Sequence, residues 1–327
     1  MRIARGSRIA AVAVLGVLPL ALAAACGGGS SPSGTSGASA LEKTNLVVGA
    51  VPAETSTALY IAQERGIFAA HGLHVKIETI VTTDDVVPDL LHGDLDVASG
   101  QVTTFIAAQA QGLGPFRVLA SGLEMGPGVD EMVALRSSHI DNAGQLTGKT
   151  IAENAPSGNG ELLTDALLTV YNVKLTRVAL KVIPFASMSA ALAAHRVDAA
   201  YCSEPYCTEM QQKDGATVVG DLNQGQAQGL LVGGYTVTAS WLKKYSRTAA
   251  AFAASIAEAS EVADTNLAAA QHALIVNLHI TPQIADVMAT GTFPTSVDPV
   301  KLQQVAELMQ RFGELKQGFD ANALSEP

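Results

Sequence analysis

Apolar residues fall in short runs separated by stretches of helical period along most of this chain. Residues 46–50 (Leu-Val-Val-Gly-Ala) form an unbroken apolar run, the pattern of a buried strand. Val51 and Pro52 break it. Thr55 or Ser56 then offers an N-cap for a helix to about residue 65, and Gly66 offers its stop. The same alternation predicts strands at 73–80, 96–99, 116–121, 131–135, 178–183, 199–202 and 216–220. Helices are predicted from Thr83, Asp84 or Asp85 to Leu91, and at 102–111, 160–171 and 187–194, with another whose first helical residue is Pro205. Residues 122–128 read as a loop, and 131–135 as a strand leaving the first half of the chain. Beyond residue 240 the pattern is helical, with an Ala-rich packing helix at 249–270 and an amphipathic one at 300–312. Strand–helix alternation of this kind implies βαβ units and largely parallel sheets.

Two short stretches look like copies. In each, a helical run turns into a short strand beside an aspartate. Aligning Asp96 with Asp198 sets Leu95 over Val197 and Val97-Ala98 over Ala199-Ala200. One copy per half of the chain suggests two similar α/β lobes with a cleft between them. Ligands of open α/β sheets bind beyond the carboxyl ends of the strands.

The first residues carry Arg2, Arg5 and Arg8 and no acid, followed by an apolar run to Ala25. Residues 1–25 therefore read as an export signal, outside the fold. Leu22-Ala23-Ala24-Ala25-Cys26 resembles a bacterial lipobox, whose cysteine is lipidated and becomes the mature N-terminus. Residues 26–44 then form the lipidated Cys26 and a Gly/Ser-rich flexible tether. This predicts a protein anchored by palmitate-type lipid on the extracytoplasmic face of the cell membrane. No later stretch reaches the ~18 consecutive apolar residues of a spanning helix.

Removing the signal takes the formal charge from −10 to −13. That argues against nucleic acid or an anionic lipid surface as the partner of the body as a whole. Cys202 and Cys207 are the cysteines left besides Cys26; in an exported protein they either pair or remain two buried thiols, and spacing leaves both open. His71, His74, His92 and His195 lack the spacing of a metal set, and neither metal nor cofactor is expected.

Several motifs together resemble a family. Tyr60-Ile61-Ala62-Gln63-Glu64-Arg65-Gly66-Ile67-Phe68 with Gly72-Leu73 is similar to the start of the nitrate/sulfonate/taurine and thiamine-precursor binding proteins of bacterial ABC importers. Leu146-Thr147-Gly148-Lys149-Thr150-Ile151, with Ser157-Gly158 and Glu161-Leu162-Leu163, resembles their entry to the second lobe. Val197-Asp198-Ala199-Ala200 with Glu204-Pro205-Tyr206, and Phe293-Pro294, fit as well. The resemblance spans about residues 45–315. It implies an α/β, two-lobe clamshell of the type II periplasmic-binding-protein kind. Lobe one would comprise 45–134 plus 236–327, and lobe two 135–235. It also implies a monomer that passes a small-molecule ligand to ABC permease subunits, and no enzymatic activity.

By the same resemblance, the ligand lies against four strand-to-helix loops, 53–57, 100–104, 157–160 and 203–206. These give Glu54, Thr55, Ser56, Thr57, Gln101, Thr103, Ser157, Gly158, Asn159, Gly160, Glu204 and Tyr206 as candidate binding residues. Helix N-termini there can hold carboxylate, sulfonate or carbonyl oxygens. The bland alternative for each Ser or Thr is a helix cap, and for Glu204 a structural carboxylate capping its own helix. The loops contain no Arg or Lys, which favours a neutral or amino-bearing molecule, such as an aminopyrimidine-like compound, over a strong anion. Two other functions fit the fold: an enzyme like the pyrimidine-precursor synthases, or a surface sensor that does not transport. Two cysteines are too few for the Cys-rich iron site of those synthases.

Overall fold

A computed structural model describes residues 40–80, 86–316 and 318–325. The expected signal, Cys26 and most of the tether lie outside the described residues, as do Thr83, Asp84 and Asp85. From Leu41 the chain forms one compact unit. The sequence places the end of the tether at residue 44, but Glu42 already belongs to the body: its carboxylate accepts from the backbone N–H groups of Arg247 and Thr248. Among the described residues no helix is long and apolar enough to cross a membrane.

The chain begins with β1 (Asn45–Ala50), α1 (Thr57–Glu64), α2 (Ile67–Ala70), β2 (His74–Thr79), α3 (Val86–His92), β3 (Val97–Gln101), α4 (Val102–Ala110) and β4 (Phe116–Glu124). It continues through β5 (Asp130–Leu135), β6 (Thr150–Glu153), α5 (Asn159–Val170), β7 (Ala179–Val182), α6 (Phe185–Ala193), β8 (Ala199–Ser203), α7 (Tyr206–Asp214), β9 (Ala216–Asp221) and β10 (Leu231–Thr238). The helices α8 (Ala239–Lys244), α9 (Ser246–Thr265), α10 (Leu267–Leu278), α11 (Pro282–Val287) and α12 (Pro299–Arg311) complete it.

These strands build two five-stranded sheets, ordered β2-β1-β3-β10-β4 and β7-β6-β8-β5-β9. In each, four strands run one way and one runs against them: β10 in the first, β5 in the second. The two reversed strands are the ones that follow the crossings between sheets. The chain leaves β4 at its carboxyl end and enters the second sheet from that sheet's carboxyl end, so β5 must run opposite to β8. β10 returns in the same manner. The expected boundaries at 134/135 and 235/236 therefore fall at or inside strands of the opposite sheet. β5 was expected in lobe one, yet its Met132 and Val133 are fully buried between β8 and β9. The crossings are at 125–129 and 222–230.

The repeated aspartates do the same work in both sheets. Asp96 N–H donates to the Val47 carbonyl at 2.8 Å, and its Oδ2 accepts from Val47 N at 2.9 Å. Asp198 makes the same pair of bonds with Thr150, both at 2.8 Å. Each also holds a lysine: Lys43 Nζ at 2.6 Å from Asp96 and Lys149 Nζ at 3.2 Å from Asp198. Thus each aspartate clips the start of its own strand to a parallel neighbour, β3 to β1 and β8 to β6.

Several local expectations shift. β4 runs on to Glu124, so 122–124 is strand rather than loop. A 3-10 turn, Glu54–Ser56, precedes α1, and neither Thr55 nor Ser56 caps α1 through its side chain. α7 starts at Tyr206, with Pro205 at the N-cap position rather than inside the helix. The Ala-rich helix is two helices. Asn266 leaves helical geometry at φ −135° and its side chain accepts from Ala269 N, capping α10.

Candidate functional site

The carboxyl ends of β1, β2, β6, β7 and β8 meet between the sheets, around a cavity of ≈ 210 Å³. Lobe one contributes Val51, Pro52, Thr79 and Ile80; lobe two contributes Asn154, Pro184, Phe185, Ala186 and Tyr206. Each group follows from a strand giving way at its end. Pro52 and Pro184 deny the chain a further ladder N–H, and Pro184 stands at the N-cap of α6, setting Phe185 at its first position. The Phe185 and Tyr206 rings stack, centroids 5.4 Å apart at 16°. Phe185 also meets Tyr201 at 5.7 Å. Burial pushes the Tyr206 hydroxyl up to about 12, helped by Glu209. Burial likewise raises Tyr60 to about 12, with Tyr206 adding to the shift, so the two phenols stay neutral near one another.

Below this cavity the lobes touch directly. Gln101 Nε2 donates to Asn154 Oδ1 at 3.1 Å, and Asn159 N donates to Gln101 Oε1 at 3.0 Å. Thr103 Oγ1 donates to Asn159 Oδ1 at 3.0 Å, and Asn159 Nδ2 donates to the Val232 carbonyl at 2.9 Å. Glu54 N donates to the Glu204 carbonyl at 3.1 Å. Gly158 is fixed by this seam: a Cβ there would stand 2.5 Å from Gln101 Oε1.

Of the twelve candidate binding residues, Tyr206 lines the cavity; the others do not. Gln101, Thr103 and Asn159 spend their polar atoms across the seam, on one another and on Asn154 and the Val232 carbonyl. Ser56 Oγ donates to the Val51 carbonyl at 2.8 Å and Thr57 Oγ1 to the Glu54 carbonyl at 2.7 Å, so both are local clips. Thr55 packs where β10 passes, 2.9 Å from where a Cβ on Gly233 would sit. Gly160 is held by Tyr201 and Glu153, which a Cβ would meet at 2.8 and 3.0 Å. Ser157 opens instead on a separate crevice with Thr104 and His92. Glu204 caps its own helix: Oε1 accepts from Thr208 Oγ1 at 2.7 Å and Oε2 from Thr208 N at 3.2 Å, while Ala289 N donates to Oε1 at 3.2 Å.

Glu54 and Glu204 belong to a buried group of acids where the chain crosses between lobes. Glu54 Oε1 accepts from Gly291 N at 2.9 Å, and its Oε2 is buried without a partner among the described residues. Asp130 accepts from Tyr201 at 3.0 Å. Burial raises all of them. Glu54 goes well above the usual carboxylate range, with Glu204 and Asp130 adding repulsion. Asp130 rises to about 6, and Glu204 and Glu131 to about 7. Burial thus moves each of these carboxyls toward its neutral form.

Sequence reasoning missed Asn154, Phe185 and Ile80. The signal for Phe185 was present: Ile183-Pro184-Phe185 is a strand end leading into a helix, the same junction that selected the other four loops. Cys202 and Cys207, on β8 and α7, are joined in a disulfide with Cα atoms 5.2 Å apart. Both are fully buried.

The model of the NMT1-like family matches residues 39–278. No curated protein matches the sequence. Among solved structures, the alkanesulfonate-binding protein SsuA from Xanthomonas axonopodis pv. citri, bound to MOPS, is 14% identical with a TM-score of 0.75, over 88% of this chain and 99% of that one. The periplasmic nitrate-binding protein NrtA from Synechocystis PCC 6803 is 14% identical with a TM-score of 0.74, over 87% and 86%. The desulfurization enzyme DSZB is 16% identical with a TM-score of 0.65, over 87% and 97%. At these identities the likeness carries the fold, a periplasmic-binding-protein architecture.

Proposed function

The chain belongs to the NMT1-like family, and from that premise we propose that it is an extracytoplasmic solute-binding protein that hands its ligand to an ABC permease. The lobes close on a small neutral ring compound held between Phe185 and Tyr206 on one side and Pro52 and Ile80 on the other. The observation that carries this reading is the cavity itself. It sits at strand ends between two lobes, and its lining has stacked aromatics, two small polar groups in Thr79 and Asn154, and no charged side chain. At ≈ 210 Å³ it is smaller than the ~300–1,000 Å³ of drug-sized sites, which suits a single ring. An anion would find no cation there. Asn154 and the Tyr206 hydroxyl can read an amide or ring nitrogen. Cys26 anchors the protein through lipid, and residues 26–40 give the body reach from the membrane.

DSZB is an enzyme on this fold, but the lining here pairs no nucleophile with a base, which supports capture over catalysis. A thermal-shift screen of neutral heterocycles against alkanesulfonates and nitrate tests the reading. A ligand at 100 times its Kd adds ~2.7 kcal/mol of stability. Stabilisation by the heterocycles is expected; stabilisation by the anions alone would overturn the ligand class.

A further inference from the structure

A more spacious hollow lies away from the cleft. Between the edge strand β4 and helices α8 and α9 runs a groove of ≈ 910 Å³ that shares no lining residue with the cleft cavity. Its walls are apolar along most of their length. Val118 and Leu119 come from β4 and Leu242 from α8; α9 presents the methyl groups of Ala249, Ala253 and Ala257 and of Ala250 and Ala254, with Ser246 at its first residue, while Thr295, Ser296 and Ser325 add hydroxyls to the lining. Residues four apart share a helix face, so these alanines make one smooth trough, about 12 Å long at 1.5 Å per residue. Val297 flanks it as well.

The charges gather near α8. Arg117 is the strand neighbour of Val237, two residues before α8 begins, and Lys243 stands in the last turn of α8. Both line the groove. Arg117 Nη1 donates to the Phe116 carbonyl at 2.8 Å. Neither cation is paired with a carboxylate among the described residues. Glu42, beside the start of α9, is already held by the N–H groups of Arg247 and Thr248 and by the Arg247 side chain. In a chain with 30 acids and 20 bases, a hollow whose charged walls among the described residues are Arg117 and Lys243 selects an anion.

We propose that this groove binds a single-chain anionic amphiphile, its alkyl chain along the α9 alanines and its carboxylate against Arg117 and Lys243. A guanidinium holds a carboxylate through two parallel N–H bonds, and the lysine adds a point charge. An apolar trough with a cationic end fits a chain with a charged head better than a peptide, which would bring unpaired backbone groups onto the alanines. This site is independent of whatever the cleft binds.

Trp241 does not line the groove, and its Nε1 donates to Asp96 at 2.8 Å, so binding is read by calorimetric titration. The full chain is titrated with decanoate below its micelle concentration, and with decyltrimethylammonium as the charge-reversed control. Saturable binding of decanoate, with the ammonium compound at least tenfold weaker, is expected. The Arg117→Gln, Lys243→Gln double variant should lose tenfold or more in decanoate affinity. Ala253→Phe should abolish binding by filling the trough; circular dichroism shows whether it folds, and the double variant decides if it does not. Equal binding of the two compounds, or decanoate affinity unchanged in the double variant, would overturn the proposal. So would binding to anionic phospholipid vesicles without binding of decanoate, which would assign the face to a membrane surface.

Discussion

The Thr103 hydroxyl, in lobe one, donates to Asn159 Oδ1, in lobe two, at 3.0 Å, and both residues are buried. Asn159 also takes its Nδ2 to Val232 and its N–H to Gln101, so one side chain and its backbone sew the lobes together. Asn159→Ala leaves Thr103 and the Val232 carbonyl without this partner in a dry seam. The expected cost is ~1–3 kcal/mol of stability, read as a lower melting temperature. Small-angle scattering should show a more open chain. An unchanged melting temperature would mean the seam is not formed in solution.

The buried carboxyls fix the sign of a pH dependence. Their folded pKa values lie above the usual 3.8 and 4.5, so they bind protons more tightly folded than unfolded. Their stabilising contribution is complete below about pH 4 and is lost as pH rises through about 6 to 7, the values of Asp130, Glu131 and Glu204. Stability should therefore fall between pH 5 and 8. Glu54→Gln keeps the shape and removes one such proton, so it should flatten the fall. Denaturant melts at pH 5, 6.5 and 8 check this; a steeper slope in the variant would contradict it.

Cys202 and Cys207 should read as no free thiol under denaturing, non-reducing conditions, in protein exported and handled without reductant. The loop between them is short, so reduction should cost no more than ~2 kcal/mol. Two titratable thiols would show that the bond does not form.

Cys26→Ser should release the protein from the membrane fraction or block its processing. A variant that partitions into detergent like wild type, with normal processing, would remove the lipid anchor from the account.

The alternation of strands and helices was legible because buried parallel strands read as apolar runs bounded by Gly, Pro and small polar residues. The Asp96–Asp198 repeat was legible too, since both lobes use one device to clip a strand. Which sheet β5 and β10 join was not. A strand buried in either sheet has the same composition, and only long-range pairing of Met132 with Tyr201, or of Tyr235 with Ser99, decides it. The candidate site was harder still. Polar residues at strand ends looked like ligand groups, but Gln101, Thr103 and Asn159 face each other across the lobes, and Glu204 satisfies Thr208. Local sequence does not tell a donor aimed at a ligand from one aimed at the opposite lobe. Tyr206 was found because it sat in a motif; Phe185, its stacking partner, sat in none.

The central claim is that the lobes close on a neutral ring compound between the stacked Phe185–Tyr206 pair and Pro52 and Ile80. Calorimetric titration of wild type, Phe185→Ala and Tyr206→Ala with a heterocycle that stabilises the wild-type protein tests it most directly. Each variant loses a stacked ring worth ~0.5–1.5 kcal/mol beyond its buried area, so affinity should fall at least tenfold while each variant still melts cooperatively. Wild-type affinity in both variants would contradict the account, because the ligand would then lie somewhere other than this cavity.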